Sequence, residues 1–335
     1  MKAFEWVSPK TIADAVRQLQ TPKPLEPEVA PQAIAGGQDL LTNMKDRILR
    51  PPRLVNLKSI PGLDRIEVDS SGALRLGALV TLAQLEEHAE VRKRFPGLTE
   101  AAHSIATPQI RNLGTVGGNL CQRPRCWYFR LEEVICLKKG GDECYAESGE
   151  NKYNAILGGG PSHIVHPSDL APILVALGAT VTIAGPGGTR TIPLEKFFIL
   201  PAEDPRRENV LVPGEIVTSV LVSPSAVAAR STYLKFKERP SHDFALSAVA
   251  AAADLDPNRK VREARLVLGG VAPIPWRIPK AEAFLAGKML DPATIEEAGK
   301  LALKGATPLP KNGYKVRLTE ALVRRALSRL SASQG

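Results

Sequence analysis

All four cysteines of this 335-residue chain, Cys121, Cys126, Cys136 and Cys144, lie in one stretch, NLCQRPRCWYFRLEEVICLKKGGDECYAES, with the spacing C-x4-C-x9-C-x7-C. Thiols kept this close do not cross-link distant segments. The N-terminus MKAFEWVSPK has no apolar signal region, so a disulfide framework is disfavoured. Metal ligation is the remaining chemistry. Structural zinc usually takes paired C-x2-4-C knuckles, which are missing here, whereas a four-thiolate [4Fe-4S] cluster tolerates irregular spacing because a loop wraps it. Such a cluster carries net negative charge, which the flanking Arg123, Arg125, Arg130, Lys138 and Lys139 would offset. A [4Fe-4S] cluster on the four cysteines is expected, with zinc as the alternative. His163 and His166 follow closely, but four thiols already fill the ligand set, so both are read as loop or cavity-edge residues. Trp127, Tyr128 and Phe129 are expected to pack the stretch against its surroundings.

Two glycine loops carry a second chemistry. Ala33-Ile34-Ala35-Gly36-Gly37-Gln38-Asp39-Leu40 places consecutive glycines between a strand and a helix, where bare backbone N–H groups can turn towards an anion. The loop matches neither G-x-G-x-x-G nor G-x-x-x-x-G-K-[ST], which disfavours a Rossmann site and a P-loop. The second loop, ATPQIRNLGTVGGNL over 106–120, holds three glycines with hydroxyl and amide side chains and Arg111. A diphosphate can be held between two such loops, with the hydroxyls and amides meeting the other polar edges of the ligand.

The elements that position these loops follow from periodicity and caps. Ser8-Pro9 and Thr11 to Val16 read as a capped helix with proline at its first position. Pro31 to Ala35 reads as a strand, followed by a helix that Pro51-Pro52 stops. Leu54 to Ile60 and Leu74 to Val80 read as strands, and Thr81 with Gln84 as a capping box for a helix running towards Phe95. Leu170 to Leu177 is an apolar helix ending at Gly178, with strands at Ala179–Ala184 and Arg190–Leu194 around a glycine turn. Composition changes at 223–228. Beyond it, Thr232 to Lys237, Ala245 to Ala253 and Ala264 to Gly269 have antiparallel spacing, with helices near 279–286, 292–303 and 317–331.

The chain is long enough for two or three domains, each with a core of its own. Hydrophobic residues make up 44% and charged residues 24%, which suits a globular protein rather than a disordered or membrane chain. No stretch approaches 18 uninterrupted apolar residues, so neither a membrane span nor an export signal of its own is expected. With 44 basic and 35 acidic residues the formal charge is +9. Only 5% of residues are aromatic and no nucleic-acid-binding motif is found, so an acidic protein partner suits the charge better than nucleic acid.

Six ordered motifs, AIAGGQDLL, ATPQIRNLGTVGGNL, HPSDLAPILVALGA, LVPGEIVTSVLV, YLKFKERPSHDFALSAVAAA and VREARLVLGGVAP, resemble those of the FAD-binding subunits of molybdenum hydroxylases, the xanthine dehydrogenase and carbon monoxide dehydrogenase relatives. The resemblance spans nearly the whole chain. It implies an α+β fold: a two-part FAD-binding domain of the p-cresol methylhydroxylase type at 1–222 (parts about 1–57 and 58–222), then a C-terminal domain of the carbon monoxide dehydrogenase flavoprotein type at 229–335. Ala33 to Leu40 would grip the diphosphate. Thr107, Gly114, Thr115, Gly117, Gly118 and Asn119 would line the cofactor, and Asp169 would bond ribityl or ribose hydroxyls. Ile216 and Val217 would wall the flavin ring, and Lys235 would lie near its carbonyl. Taken without the family, Asp169 reads as a helix N-cap, Ile216 and Val217 as core, and Lys235 as a solvated strand-face charge.

Most such subunits pass from VGGNL almost directly to HPSDL, so 119–165 is similar to an insertion. Cysteine-bearing insertions of this kind mark the flavin subunits of 4-hydroxybenzoyl-CoA reductase and of bacterial periplasmic aldehyde oxidoreductase, the latter more similar here. The resemblance implies an electron-transfer subunit of a heterotrimer. A large molybdopterin-binding subunit and a small [2Fe-2S] subunit would be its partners, and FAD would pass electrons to an external acceptor. It implies no catalytic side chain in this chain. A 4-hydroxybenzoyl-CoA reductase-like or xanthine dehydrogenase-like complex is the alternative, and a zinc-bearing interaction protein without redox chemistry the alternative of another class. By its own sequence the chain reads as cytoplasmic, or periplasmic if co-exported with a signal-bearing partner.

Overall fold

The structure, a computed structural model, describes residues 1–21, 25–225, 228 and 230–332. The first unit is a parallel sheet of β1 (Glu5–Val7), β2 (Gln32–Ile34) and β3 (Arg53–Asn56), with β3 central. Parallel neighbours need crossovers, and the helices Ile12–Leu19 and Leu40–Lys45 supply them. Side chains alternate across β3. Leu54 packs with Ile34, Met44 and Leu49, while Val55 points the other way to Ala15, Val16 and Leu19. Thr11, whose hydroxyl accepts the Asp14 N–H, caps the first helix at Ile12, so Pro9 lies outside it rather than at its first position.

The second unit is an antiparallel sheet of β4 (Ile66–Val68), β5 (Leu74–Gly77), β6 (Thr180–Gly185), β7 (Gly188–Pro193) and β8 (Ile216–Val222), in the order β4-β5-β8-β6-β7. The capping box on Thr81 and Gln84 forms, but the helix it opens ends at Glu87, and a second helix begins after His88. The strand expected over Leu54–Ile60 likewise ends at Asn56, where the Asn56 side chain accepts the Lys58 N–H and starts a 3-10 turn. The helix Leu170–Ala176 is buried along its whole length in the main core.

The third unit is an antiparallel sheet of β9 (Ser231–Phe236), β10 (Ser247–Leu255), β11 (Val261–Gly269) and β12 (Trp276–Arg277), in the order β12-β11-β10-β9. Both faces of β10 are buried. Ala248 and Ala250 join the core shared with the second unit, and Val249, Ala251 and Ala253 join a core closed by the C-terminal helices, including Pro292–Ala302 and Tyr314–Ala332. Small side chains on one face let the helix Pro96–Ser104 approach β9. A methyl at Gly97 would stand 2.9 Å from the Thr232 nitrogen. Residues 226, 227 and 229, within and beside the expected boundary, and 333–335 lie outside the described residues. Among the described residues no helix is long and apolar enough to cross a membrane.

Candidate functional site

The three units meet around a cavity of about 710 Å³, within the range that holds cofactors. Of the first loop, Ala33, Ala35, Gly36, Gly37, Gln38, Asp39 and Leu40 line it. Ile34 does not, because strand alternation turns it into the small core beside Leu54. From the second loop, Gly114, Thr115, Gly117, Gly118 and Asn119 line the cavity. Thr107 is instead the cap of the helix Pro108–Leu113, its hydroxyl 3.4 Å from the Ile110 nitrogen.

Glycine is required where the loops touch. A Cβ on Gly36 would lie 1.9 Å from the Leu113 carbonyl oxygen, and Gly37 has φ +72°, a conformation that carries no penalty only for glycine. The second loop hangs on the end of β5. Leu82 N–H donates to Gly114 O, Val116 N–H to Val80 O and Gly117 N–H to Ala78 O, each at 2.9 Å. The Thr115 hydroxyl then accepts the Gly118 N–H at 3.2 Å.

Asp169, Ile216, Val217 and Lys235 also line the cavity. Asp169 precedes a helix without capping it, since Ser168 Oγ accepts the Ala171 N–H at 2.9 Å. Its carboxylate accepts the Tyr233 hydroxyl at 2.7 Å and the Lys235 ammonium at 2.8 Å. Lys235 also donates to Ser104 O at 3.2 Å. The Lys235 and Asp169 side chains are only 3% and 6% exposed, so Lys235 is not a solvated strand charge. Tyr233 escaped the sequence reading, although its position two residues from Lys235 on β9 puts both on one face. Burial and then the Asp169 charge hold its phenol well above the ordinary range. Ile216 and Val217 are core as well as cavity wall. The C-terminal domain closes the rim with His242, Asp243 and Phe244. There His242 N–H donates to Ala106 O at 3.2 Å, and both residues have positive φ.

The cysteine-bearing stretch is tied to this cavity by charge. Asp39 accepts from Arg130 and from the Arg123 backbone N–H, each at 2.8 Å, and forms an ion pair with Arg125 at 3.1 Å. Glu208 pairs with Lys138 at 2.7 Å and Arg123 at 3.2 Å. Burial pushes the Glu208 carboxyl up, but Arg123 and Lys138 outweigh it and hold the group below its ordinary value. Arg123, Arg125, Arg130 and Lys138 therefore pair with Asp39 and Glu208 of the cavity lining, where the sequence set them against the negative charge of a cluster. The Lys139 ammonium donates to the Leu131 carbonyl. Phe129 is fully buried against the Arg123 guanidinium, as expected, whereas Trp127 is 55% exposed and packs only edge-on to Tyr153. His166 is buried against Phe198, and burial lowers its pKa to about 4.

The four thiols do not share one place. All are free. Cys126, Cys136 and Cys144 line a second cavity of about 10 Å³, while Cys121 lines the large one. The Asn154 amide lies 3.9 Å from Cys126 Sγ, and His163 N–H donates to Cys144 Sγ at 3.5 Å. The Cys121 thiol, pushed up to about 12 by burial and then by Glu208, is held protonated. Among the described residues no three His, Cys, Asp or Glu side chains converge closely enough to hold a metal ion. A cavity of that size takes about one water. The expected four-thiolate ligand set is thus not assembled: Cys126, Cys136 and Cys144 border the small cavity without converging on a ligand position, and Cys121 lies towards the large one.

The sequence pattern described as the FAD binding domain in molybdopterin dehydrogenase matches residues 2–224, and that of the CO dehydrogenase flavoprotein C-terminal domain matches 231–330. The aldehyde oxidoreductase FAD-binding subunit PaoB of Escherichia coli is 38% identical over 291 residues, covering 85% of this chain and 87% of that one. The nicotinate dehydrogenase FAD-subunit of Eubacterium barkeri is 29% identical, covering 88% and 84%. Among solved structures, a carbon monoxide dehydrogenase chain from Hydrogenophaga pseudoflava superposes with a TM-score of 0.76 at 26% identity, covering 99% of this chain and 98% of that one.

Proposed function

The chain belongs to the family of FAD-binding subunits of molybdenum hydroxylases, and from that premise we propose that it is the electron-exit subunit of an aldehyde-oxidising complex. Its α+β fold joins the family's FAD-binding domain to the carbon monoxide dehydrogenase flavoprotein C-terminal domain. In the proposed complex, electrons come through a small [2Fe-2S] subunit from a large molybdopterin-binding subunit, where substrate is oxidised, and leave to an external acceptor. FAD, when bound, exchanges electrons in pairs or singly and so joins two-electron to one-electron chemistry. The aldehyde assignment rests on the 38% identity over most of the chain to the Escherichia coli subunit.

The observation that carries the flavin site is the convergence of both glycine loops, Asp169 and Lys235 on one cavity. The residue types there fit a dinucleotide. Loop amides and Thr115, Asn119 and Gln38 offer donors to phosphate and ribityl oxygens, while Ile216 and Val217 offer an apolar wall for a ring. Asp169 is fixed by Tyr233 and Lys235, so it is oriented before any ligand arrives. In this reading Ile34 and Thr107 support the loops from behind. The division into 1–222 and 229–335, with 119–165 inserted, belongs to the same proposal.

The cluster on Cys121, Cys126, Cys136 and Cys144 is a further part of it. Support comes from the confinement of every cysteine to the insertion and from the grouping of three around one cavity with amide donors near two sulfurs. Because the set of four does not close, no electron path is drawn through it. Purification of the chain with its partner subunits tests the assignment. Aldehyde-dependent reduction of an artificial acceptor, lost when this subunit is left out, is expected. Full turnover without it would refute the exit role.

A further inference from the structure

Asp39 is out of place in an anion-binding loop, since a carboxylate there repels phosphate. Its surroundings resolve the conflict. Its single negative charge meets the guanidinium groups of both Arg125 and Arg130 and the Arg123 backbone N–H, so the local sum is positive. Arg130 serves this pair and the carbonyls of Pro124 and Arg123, and although its Nη1 is also buried without an acceptor, it does not line the cavity. Arg123 lines the cavity, but Glu208 and the Arg206 carbonyl take its guanidinium.

Arg125 differs. It lines the cavity, its Nε–H is shielded from water without any acceptor, and its other nitrogens make only the Asp39 pair and a long contact of 3.5 Å to Gln122. Its guanidinium lies over the Phe244 ring at 4.9 Å, which fixes the plane of the group from the C-terminal side. Asp46 is a second acid whose charge reaches the Arg125 guanidinium.

We propose that Arg125, carried by the cysteine-bearing insertion, binds the diphosphate of FAD, and that Asp39 is the positioning residue that aims it. This rests on the flavin reading of the cavity and goes beyond it by making the insertion part of the flavin site. A guanidinium already held by Asp39 and Phe244 can turn the Nη–H groups that this pairing leaves free towards a phosphate oxygen in a charge-assisted bond. Phosphate then sits between the first loop's amides and Arg125, with Asp39 neutralised behind it.

Deflavinated chain titrated with FAD, followed by quenching of flavin fluorescence, tests this directly, with inorganic pyrophosphate as competitor. Arg125→Gln is expected to weaken FAD at least tenfold, to weaken pyrophosphate competition by a similar factor, and to flatten the salt dependence of FAD affinity. Arg125→Met, which keeps the stem against Phe244, carries the same expectation should Arg125→Gln fail to fold. FAD affinity within twofold of wild type would overturn the proposal, as would weaker FAD binding with pyrophosphate competition unchanged. Failure of the wild-type chain to take up any FAD would refute the flavin reading itself, a result distinct from either.

Discussion

The flavin cavity and the cysteine cavity are both built largely from irregular backbone, yet they are held in different ways. Around the large cavity every loop hangs on a neighbouring element. The second loop is bonded to the turn after β5, Gly36 rests on the Leu113 carbonyl, and Asp169 is fastened to two residues of β9. Around the small cavity the Asn154 amide stands 3.9 Å from Cys126 Sγ and the His163 N–H 3.5 Å from Cys144 Sγ, long contacts for holding a loop. The far end of the insertion is nevertheless firmly anchored. Lys315, fully buried, donates to the carbonyls of Tyr153, Asn154 and Gly270 at 2.8, 3.1 and 2.9 Å. The protein's own bonds therefore shape the large cavity and fix the chain at 153–154 more firmly than they hold the thiols.

Breaking the stronger region has the largest expected effect. Asp169→Ala leaves Lys235 buried without its counter-charge and Tyr233 without its acceptor, which costs about 3–5 kcal/mol for a buried pair. Urea unfolding of the purified chain should show that loss, together with loss of bound flavin. Gly36→Ala drives a methyl into the Leu113 carbonyl. A loss of about 2 kcal/mol or more is expected, with flavin content falling further than stability alone would require.

The anchor of the insertion gives an effect of pH. Burial lowers the Lys315 pKa to about 7, whereas the unfolded chain holds that proton to about pH 10.4. Between those values the unfolded state binds more protons, so stability rises with pH, by at most about 1.4 kcal/mol per unit. Melting curves from pH 7 to 9 should show the rise, and Lys315→Met should remove it while lowering stability throughout.

The comparison is sharpened by two cysteine variants. If all four thiols serve one cluster, Cys121→Ser and Cys136→Ser lose iron and sulfide alike. If Cys121 belongs to the flavin cavity alone, only Cys136→Ser loses them. Neither variant should lower the melting temperature as much as Asp169→Ala, because the carbonyl bonds of Lys315 persist. The smallest effect concerns the +9 charge. Assembly with more acidic partner subunits should weaken a few-fold between 50 and 500 mM salt, about the loss of a few screened surface pairs. Assembly insensitive to salt would remove charge as the docking force.

What could be read in the sequence follows the same division. The glycine loops, the capping box and the antiparallel C-terminal strands were legible, because local backbone chemistry fixes them. Ile34 and Thr107 lie off the cavity wall, since a motif does not say which face of its strand or which end of its helix a residue serves. Tyr233 was missed because its role exists only when β9 meets Asp169, 64 residues away in the chain. The arginines of the insertion were visible as charge, but their partners Asp39 and Glu208 are tertiary facts. The thiol spacing named a ligand set, and spacing alone does not bring Cys121 round to the other three.

The measurement that bears most directly on the central claim is flavin, iron and acid-labile sulfide per chain on protein purified without oxygen. One FAD per chain is the result predicted by the cavity, with four irons and four sulfides if the thiols close on a cluster. Protein that holds no flavin, and takes up none when FAD is supplied, would contradict the account.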